Sequence, residues 1–461
     1  MRVNVIIIPP TTRGCFADVK LSFMDVNGTT RVVDIGINFQ SLHDFSKSTT
    51  STAFDFFLIS SIVYGVDNLL ERYQYSVDAW ARDIQISFPV NNPAIWNHNK
   101  VEFDAMLSFL TGDYWDVSFI QLPAASLFIE KTSRWSSSIQ RFDYLNYTFA
   151  SLFSGGLDSL VGVIDGIENL QISQKGLLIS HFDSTSPGAN SDQERLYDYL
   201  SKRQEYRDKI DWIQETVFLR NYDNADNALT KESSYRSRSL LFIGIGIYCI
   251  ENIPNCNTLT IPENGTISLN YPLTPSRVST LSTRTTHPYY IQKLQHLINN
   301  VGLTTQLHNP YHLMTKGELV ESCTNETVLY GIYSQSVSCG KRGRKQHWDV
   351  RTGTQHCGVC MPCIYRRAAL HKKNLDNQLY GIDIFTTQRD VLTIQDMPAL
   401  FDFLKRRLTT EQIKRTLLVS GSIDLNDLDN CSGLVERVRV EIKQWISDKG
   451  NNTLKTLAGI I

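Results

Sequence analysis

The sequence predicts an α/β protein whose centre is a doubly wound parallel sheet. A short apolar run at residues 149–153 meets an abrupt Ser154-Gly155-Gly156 turn, and a second apolar run follows at 160–164; this order is typical of a strand, a loop and a helix. The same alternation continues along the chain. Strands are expected at 176–182, 212–219 and 258–262, and helices at 191–204 and 238–248. A sheet of this kind binds ligands at its carboxyl edge.

The loop at residues 154–159 predicts a phosphate-binding site. Backbone N–H groups and the positive end of a helix dipole meet there, and Gly155 and Gly156 let the main chain approach an anion without a Cβ in the way. Ser154 and Ser159 add hydroxyl groups, and Asp158 is placed either to orient a Mg²⁺ shell or to cap the first turn. No lysine follows the glycines, so this is not a Walker motif. The alternative interpretation is a glycine turn into a core helix capped by Asp158 or Ser159.

Length and composition set the class of protein. With 461 residues, two or three domains are expected, and 42% apolar and 20% charged residues are ordinary for a soluble globular chain. The net charge of −2 argues against a surface coated for nucleic acid, although a local basic patch stays open. No apolar run is long enough for a membrane span, and the start of the chain reads as a first strand rather than a signal peptide. Nine cysteines fit a cytoplasmic protein that uses thiols for metal.

Residues 1–130 predict a small α+β accessory domain. Alternating strands are expected at 17–23 and 31–37 around an Asn27-Gly28 turn. A helix at 53–73, a strand at 83–90, a helix near 100–110 and a strand at 116–120 follow, and a connector lies around residues 134–138. The tryptophans at 80, 96 and 115 favour core packing over a recognition face. Partner docking and dimerisation both stay open for this domain.

Cationic residues at two helix starts are candidate ligands for an anion. Arg236 and Arg238 precede an apolar helix, and arginine there offers paired donors to phosphate or carboxylate. Because the helix dipole disfavours a cation at that end, its placement favours a functional role for Arg238 over a solvated one. Lys316 opens a helix that Thr315 and Glu318 cap as a capping box, and an exposed lysine is its simplest interpretation.

Several other polar residues are weaker candidates. The Glu263-Asn264-Gly265 turn follows a strand at the carboxyl edge, where it is either a plain loop or a recognition corner. An adenine ring is expected near residues 180–182, which makes His181 of interest, although packing explains a histidine there equally well. Arg284 and His287 are weaker still.

Four cysteines predict a metal centre. Cys357, Cys360 and Cys363 stand at two-residue gaps with Cys339 upstream, which matches a closed structural Zn²⁺ site. An iron–sulfur cluster is the competing interpretation. His347 or His356 is an alternative fourth ligand in place of Cys339. The basic run 341–345 between the cysteines suits either a phosphate or acidic partner or a solvated loop.

The remainder of the chain, residues 381–461, is expected to be a helical region without recognisable chemistry. Its clearest amphipathic stretches are 399–408 and 435–446.

These motifs together resemble a known family. The loop Ser154-Gly155-Gly156-Leu157-Asp158-Ser159 resembles the SGGxDS loop of the ATP pyrophosphatase (PP-loop) superfamily, which cuts ATP between its α and β phosphates. With the segment 238–242, the Pro-Tyr-x₃-Thr-Lys-x-Glu segment at 310–318 and the cysteine cluster, residues 146–380 resemble the QueC (7-cyano-7-deazaguanine synthase) family.

The resemblance implies a PP-loop-type (adenine nucleotide alpha hydrolase-like) sheet with a zinc-bound Cys₄ segment. It implies that residues 154–159, Leu157 included, bind ATP, that Asp158, Lys316 and Arg238 act in catalysis with Mg²⁺, and that the four cysteines hold zinc. In QueC, ATP activates the carboxylate of 7-carboxy-7-deazaguanine, ammonia forms an amide, and further ATP dehydrates the amide to a nitrile.

The front domain, the long gap after Cys339 and the helical tail depart from stand-alone QueC. They resemble the QatC-type QueC-like proteins of bacterial antiviral defence systems, so the expected reaction is carboxylate activation followed by transfer to ammonia or to a partner protein from the same operon. The alternatives are a non-catalytic ATP-binding subunit of a defence complex and a PP-loop enzyme that modifies tRNA, the latter disfavoured by the near-neutral charge.

Overall fold

A single ten-stranded sheet forms the centre of the molecule. The computed structural model describes residues 1–78, 80–123, 127–130, 142–184, 188–234, 236–274 and 284–461, so the predicted connector at 134–138 lies outside the described residues. The strands are β1 Arg2–Ile8, β2 Asp18–Met24, β3 Thr30–Ile37, β4 Asp83–Val90, β5 Tyr114–Gln121, β6 Tyr147–Leu152, β7 Lys175–Phe182, β8 Ile210–Leu219, β9 Thr258–Thr260 and β10 Gln306–His308.

Helices connect these strands and form the carboxyl-terminal region. The helices are α1 Gln40–Ser46, α2 Thr52–Leu69, α3 Arg72–Tyr75, α4 Pro93–His98, α5 Lys100–Thr111, α6 Leu157–Glu168, α7 Ala189–Lys202, α8 Arg238–Ile250, α9 Gly265–Leu269, α10 Pro288–Asn300, α11 Lys316–Glu321, α12 Glu326–Ile332, α13 Met361–His371, α14 Met397–Lys405, α15 Thr410–Ser420, α16 Leu428–Lys449 and α17 Asn452–Leu457. Short 3₁₀ turns lie at Tyr333–Gln335, Arg342–His347 and Val391–Thr393.

The sheet is mostly parallel and runs in the order β10-β9-β6-β7-β8-β3-β2-β1-β4-β5. From β10 to β8 every neighbouring pair is parallel, which agrees with the predicted α/β class. Strands β1, β2 and β3 form an antiparallel meander, and β3 pairs antiparallel with β8 with Ile35 opposite Leu219. Residues 1–130 therefore extend the same sheet, while the predicted domain boundaries stay predictions.

At both outer edges of the sheet, side-chain oxygens accept hydrogen bonds from main-chain amides. On β5, the Val117 amide donates to Asp104 Oδ1 at 2.9 Å and the Phe119 amide to Asn97 Oδ1 at 3.1 Å. On β10, the Leu307 amide donates to Gln295 Oε1 at 2.7 Å. The partner side chains lie on α5, α4 and α10, so helices that flank the sheet also satisfy part of its edges.

Helix α2 joins the front segment to the rest of the core. Every residue from Ala53 to Leu69 is buried, as an apolar helix between two layers requires. One apolar cluster contains residues of β2, β3 and α2 together with residues of β6, β8 and α8. Across the described ranges, the helices do not combine the length and apolarity that crossing a membrane requires. Trp96 and Trp115 are buried, as the core interpretation predicts, and Trp80 is half-buried.

The carboxyl-terminal helices pack around the cysteine segment. A second apolar cluster combines Cys357, Cys360 and Cys363 with Leu400 of α14, Leu417 of α15 and Trp445 of α16. Residues 397–457 are thus mostly helical, and these helices enclose the cysteine segment. The predicted bounds of this region stay a prediction.

A buried charge network fixes the front segment to the start of α8. Arg82 is fully buried and donates to Asp67 Oδ1 and Asp113 Oδ2, each at 2.6 Å. The second oxygen of Asp67 accepts from the backbone amide of Ser237 at 3.0 Å and from its hydroxyl at 2.8 Å. Removing either partner of such a buried pair leaves an uncompensated charge.

We expect Arg82→Met to lower the free energy of unfolding by about 3–5 kcal/mol, because Asp67 and Asp113 then stay buried without their main cation. Urea denaturation followed by circular dichroism measures the loss. The matched control is Lys202→Met, whose side chain is 75% exposed in its pair with Asp198, and it should cost less than about 1 kcal/mol. Equal effects of the two substitutions would contradict the role of the network.

Candidate functional site

The Ser-Gly-Gly loop lies at the carboxyl end of β6. This strand pairs with β9 on one side and β7 on the other within the parallel half of the sheet. The chain leaves β6 through residues 153–156 and enters α6 at Leu157. A crevice of this kind, at the carboxyl ends of parallel strands, is where doubly wound folds bind ligands.

Gly155 has a backbone conformation that other residues rarely adopt. Its φ angle is +83°, and a Cβ at this position would lie 3.3 Å from the Cβ of Asp192 on α7. The Gly155 carbonyl accepts from the Val337 amide at 2.9 Å. The loop is therefore held from two sides, by α7 and by the segment that leads to Cys339.

Helix α6 begins at Leu157 without a side-chain cap. The Leu157 amide nitrogen lies 3.4 Å from Ser338 Oγ, and the Gly156 amide nitrogen lies 3.4 Å from Ser154 Oγ. Both distances are long for a hydrogen bond. Neither Asp158 nor Ser159 caps the helix, so the predicted cap is wrong. The helix itself is largely buried, as the alternative interpretation of a core helix expects. An uncapped helix start with nearby hydroxyl groups suits an anion.

Asp158 and Lys316 form a buried ion pair at the base of the site. Lys316 Nζ lies 2.6 Å from Asp158 Oδ1, and Asn264 Nδ2 donates to Asp158 Oδ2 at 2.7 Å. Lys316 is only 4% exposed, so the interpretation of an exposed lysine is wrong. The predicted capping box of Thr315 and Glu318 is confirmed. Asn264 also caps α9, because its Oδ1 accepts a hydrogen bond from the Ile267 amide. The turn at residues 263–265 is therefore both a structural loop and a part of the site.

The pKa values of the two carboxyl groups of the site, Asp158 and Glu263, are shifted in opposite directions. Burial alone would raise the pKa of Asp158, but the Lys316 ammonium and hydrogen bonds outweigh burial and hold that pKa below its usual range. Burial, followed by the Asp158 charge and a hydrogen bond to it, raises the pKa of Glu263 well above its usual range. The raised pKa favours the protonated form of Glu263, which can donate a hydrogen bond to Asp158. The charges of Asp158 and Lys316 then cancel.

Arg238 is the second cationic side chain in the site, besides Lys316. It is half-buried at the start of α8, and its guanidinium carbon lies 5.7 Å from the ring centre of Phe242. Within the described residues it has no hydrogen bond or ion pair. Arg236 points elsewhere: its Nη1 donates to the Thr111 carbonyl at 2.9 Å, and its guanidinium lies over Trp80. The structure thus separates the two arginines that the sequence placed together.

These residues surround one cavity of about 430 Å³. Its size is within the range of small-molecule sites. The polar wall comprises Ser154, Gly156, Asp158, Ser159, Arg238, Glu263, Lys316 and Ser338. The apolar wall comprises Leu152, Phe242, Ile243, Ile261, Pro262 and Ile267.

The four predicted cysteines come together. The Sγ atoms of Cys339, Cys357, Cys360 and Cys363 all lie within 4.8 Å of one another, an arrangement that suits a metal ion such as zinc. Backbone amides point at the sulfurs, with Cys357 N 3.3 Å from Cys339 Sγ and Cys360 N 3.2 Å from Cys357 Sγ. Such donors stabilise thiolate ligands.

Neither histidine alternative joins this group. The His356 ring is buried, and its Nε2 lies 3.3 Å from the Ser338 amide. His347 is exposed in the 3₁₀ turn. Cys339 also lines the cavity together with Gly340 and Pro362, so the cysteine segment forms one of its walls.

The weaker candidates have structural partners. His181 is buried, its Nε2 lies 2.9 Å from the Val217 carbonyl, and burial lowers its pKa to about 3, so it packs within the sheet. Residues 180–182 do not line the cavity, which leaves the expected adenine position there without support. His287 caps α10, and Arg284 donates to the Phe109 carbonyl. In the basic run, Arg342 pairs with Asp192.

Sequence reasoning missed two features of the site: the contribution of Ser338 and the raised pKa of Glu263. Ser338 stands next to a predicted ligand, Cys339, and that proximity was the available signal.

No protein-family model, curated protein or solved structure matches this chain.

We expect purified protein to contain about one zinc ion per chain. Cys360→Ser should abolish retention of the ion because it removes one of the four sulfurs. Elemental analysis measures the content, and Co²⁺ replacement should give thiolate-to-cobalt absorption. Cys431→Ser, at a buried cysteine outside the cluster, is the control and should keep the metal. Iron with labile sulfide would contradict zinc.

We expect the free energy of unfolding of Glu263→Gln to rise relative to that of the parent protein as the pH rises. A carboxyl group with a raised pKa contributes stability that is complete below its ordinary pKa and is lost as pH rises through the raised value. The amide keeps a donor for Asp158 but does not titrate. Thermal unfolding at pH 5, 6.5 and 8 measures the difference between variant and parent, with exposed Glu102→Gln as control. A difference independent of pH would contradict the protonated state of Glu263.

Proposed function

We propose that this protein is an ATP-dependent ligase that adenylates a carboxylate and transfers the acyl group to an amine. One observation carries the proposal: an uncapped helix start after a Ser-Gly-Gly loop, Lys316 and Arg238 all border the same cavity. Lys316 and Arg238 place two cationic side chains in the cavity wall, and Lys316 is paired with Asp158. Such cations favour a polyphosphate together with an acid.

The reaction follows from the weakness of a carboxylate as an electrophile. A carboxylate oxygen attacks the α-phosphorus of ATP, the bond from that phosphorus to the bridging oxygen breaks, and pyrophosphate leaves. The amine nitrogen then attacks the carbonyl carbon of the acyl-adenylate, the bond to AMP breaks, and the nitrogen releases a proton to solvent. The loop amides, Lys316 and Arg238 act by stabilising negative charge as it develops on the phosphoryl oxygens.

Metal ions have separate roles in this proposal. Mg²⁺ on the triphosphate would neutralise part of its charge. Asp158 and Glu263 are the carboxyl groups in the cavity wall that would bind this ion, Asp158 after leaving Lys316 and Glu263 after losing its proton. Zinc on the four cysteines would hold the cavity wall at Cys339 and offers no open position for a reaction.

The resemblance to QueC supports a choice of substrate. A 7-carboxy-7-deazaguanine-type acid is the first substrate to test, and the apolar wall with Phe242 suits a flat ring. The acceptor is either ammonia or a protein encoded in the same operon, in an antiviral defence setting. Mass spectrometry of the chain and its operon neighbours, expressed with and without a deazaguanine source, distinguishes the two acceptors.

We expect Lys316→Met and Arg238→Met each to lower pyrophosphate release by about 100-fold in the presence of ATP, Mg²⁺ and the acid, because each removes a cation from the developing charge. A coupled phosphate assay measures the rate. Arg220→Met, at a side chain 64% exposed and outside the cavity, is the control and should keep the parent rate.

Full turnover by both variants would refute the site assignment. ATP binding without AMP formation, with acid and operon partners present, would favour the non-catalytic assembly subunit. Transfer to tRNA instead would favour the tRNA-modifying class.

A further inference from the structure

Glu441, in the helical tail, contacts the start of the helix that carries Lys316. Its Oε2 accepts from the Thr315 hydroxyl at 2.7 Å, and its Oε1 accepts from the Gly317 amide at 3.1 Å. The fit is close: a Cβ on Gly317 would lie 2.2 Å from Glu441 Oε2. The Glu441 carboxyl group is buried, and Lys372 Nζ lies 3.7 Å from its Oε2.

Asp67, in the front segment, makes an equivalent contact with the helix that carries Arg238. Its Oδ2 accepts from the amide and hydroxyl of Ser237, the residue directly before Arg238. Asp67 is fully buried. Neither Asp67 nor Glu441 lines the cavity, so neither touches a ligand placed there.

The two contacts answer the same physical difficulty. A cation in the first turn of a helix is repelled by the positive end of the helix dipole, and its amide groups need acceptors. A buried carboxyl group at that position accepts hydrogen bonds from the helix start and fixes it in space. In both places the carboxylate comes from a part of the chain outside residues 146–380, where the QueC-like motifs lie.

We propose that Glu441 and Asp67 are positioning residues for the two cations of the site, Glu441 for Lys316 and Asp67 for Arg238. The front segment and the tail thereby complete the cavity without entering it. This inference rests on the proposed function for its assay, since the measured quantity is the binding of an ATP analogue.

A double-mutant cycle tests the proposal. The affinity for Mg²⁺ and α,β-methylene-ATP is measured by calorimetry for the parent, Glu441→Gln, Lys316→Met and the double variant. We expect Glu441→Gln to weaken binding by about tenfold when Lys316 is present and by less than about twofold after Lys316→Met, because the carboxylate acts through the lysine. Glu436→Gln, at a more exposed carboxylate on the same helix, is the control and should leave the affinity unchanged.

A second double-mutant cycle tests the role of Asp67 with the same binding measurement. It uses Ser237→Ala, which removes one hydrogen bond to Asp67 and leaves the buried ion pairs of Arg82 in place. Its effect on affinity should likewise disappear in the Arg238→Met background. Equal losses in both backgrounds would overturn the positioning role, since a merely structural effect is additive. If Lys316→Met and Arg238→Met leave the affinity unchanged, the proposed function fails instead. Thermal unfolding of each variant confirms that folded protein is compared.

Discussion

The buried ion pair of Asp158 and Lys316 is the interaction on which the site depends. Taking two charges out of water costs several kcal/mol for each ion, and attraction repays that cost only when the remaining hydrogen-bonding groups are satisfied. Here Asn264 donates a hydrogen bond to the second oxygen of Asp158, and hydrogen bonds together with the Lys316 charge hold the pKa of Asp158 below its usual range. The pair also joins α6 to α11, two helices far apart in the chain. One contact therefore fixes both the start of α6, after the Ser-Gly-Gly loop, and Lys316.

The cysteine cluster extends this constraint to the opposite wall. The Val337 amide donates to the Gly155 carbonyl, and Ser338 Oγ lies near the Leu157 amide. The next residue in the chain is Cys339. The three other cysteines lie on the segment that begins α13, inside the core formed by the tail helices. A tetrahedral ion on these sulfurs would fix where Cys339 sits, and through it the loop. The cysteine cluster thus lies beside the cavity as part of its wall.

Local patterns made most of the fold predictable. The strand, turn and helix around residue 155, the capping box at Thr315 and the cysteine spacing each depend on residues close in sequence, and the structure agrees with all of them. The burial of Lys316 and the contacts of Glu441 were not predictable, because they depend on which distant helix packs there. The pairing of β3 with β8 also escaped prediction, since neither strand carries a signal for its neighbour. The separation of Arg236 from Arg238 was not predictable either, because Arg236 lies before Ser237, the N-cap of α8, and contacts Thr111 and Trp80 in the front segment.

The occupied edges of the sheet restrict how this protein can meet another. Because Asp104, Asn97 and Gln295 already bond main-chain amides on the outermost strands, an extended peptide would have to displace them before it could lengthen the sheet. A protein acceptor would therefore approach through helices and loops near the cavity mouth. The same protection lowers the tendency of two copies to join edge to edge, which matters for a sheet of this width in a crowded cell.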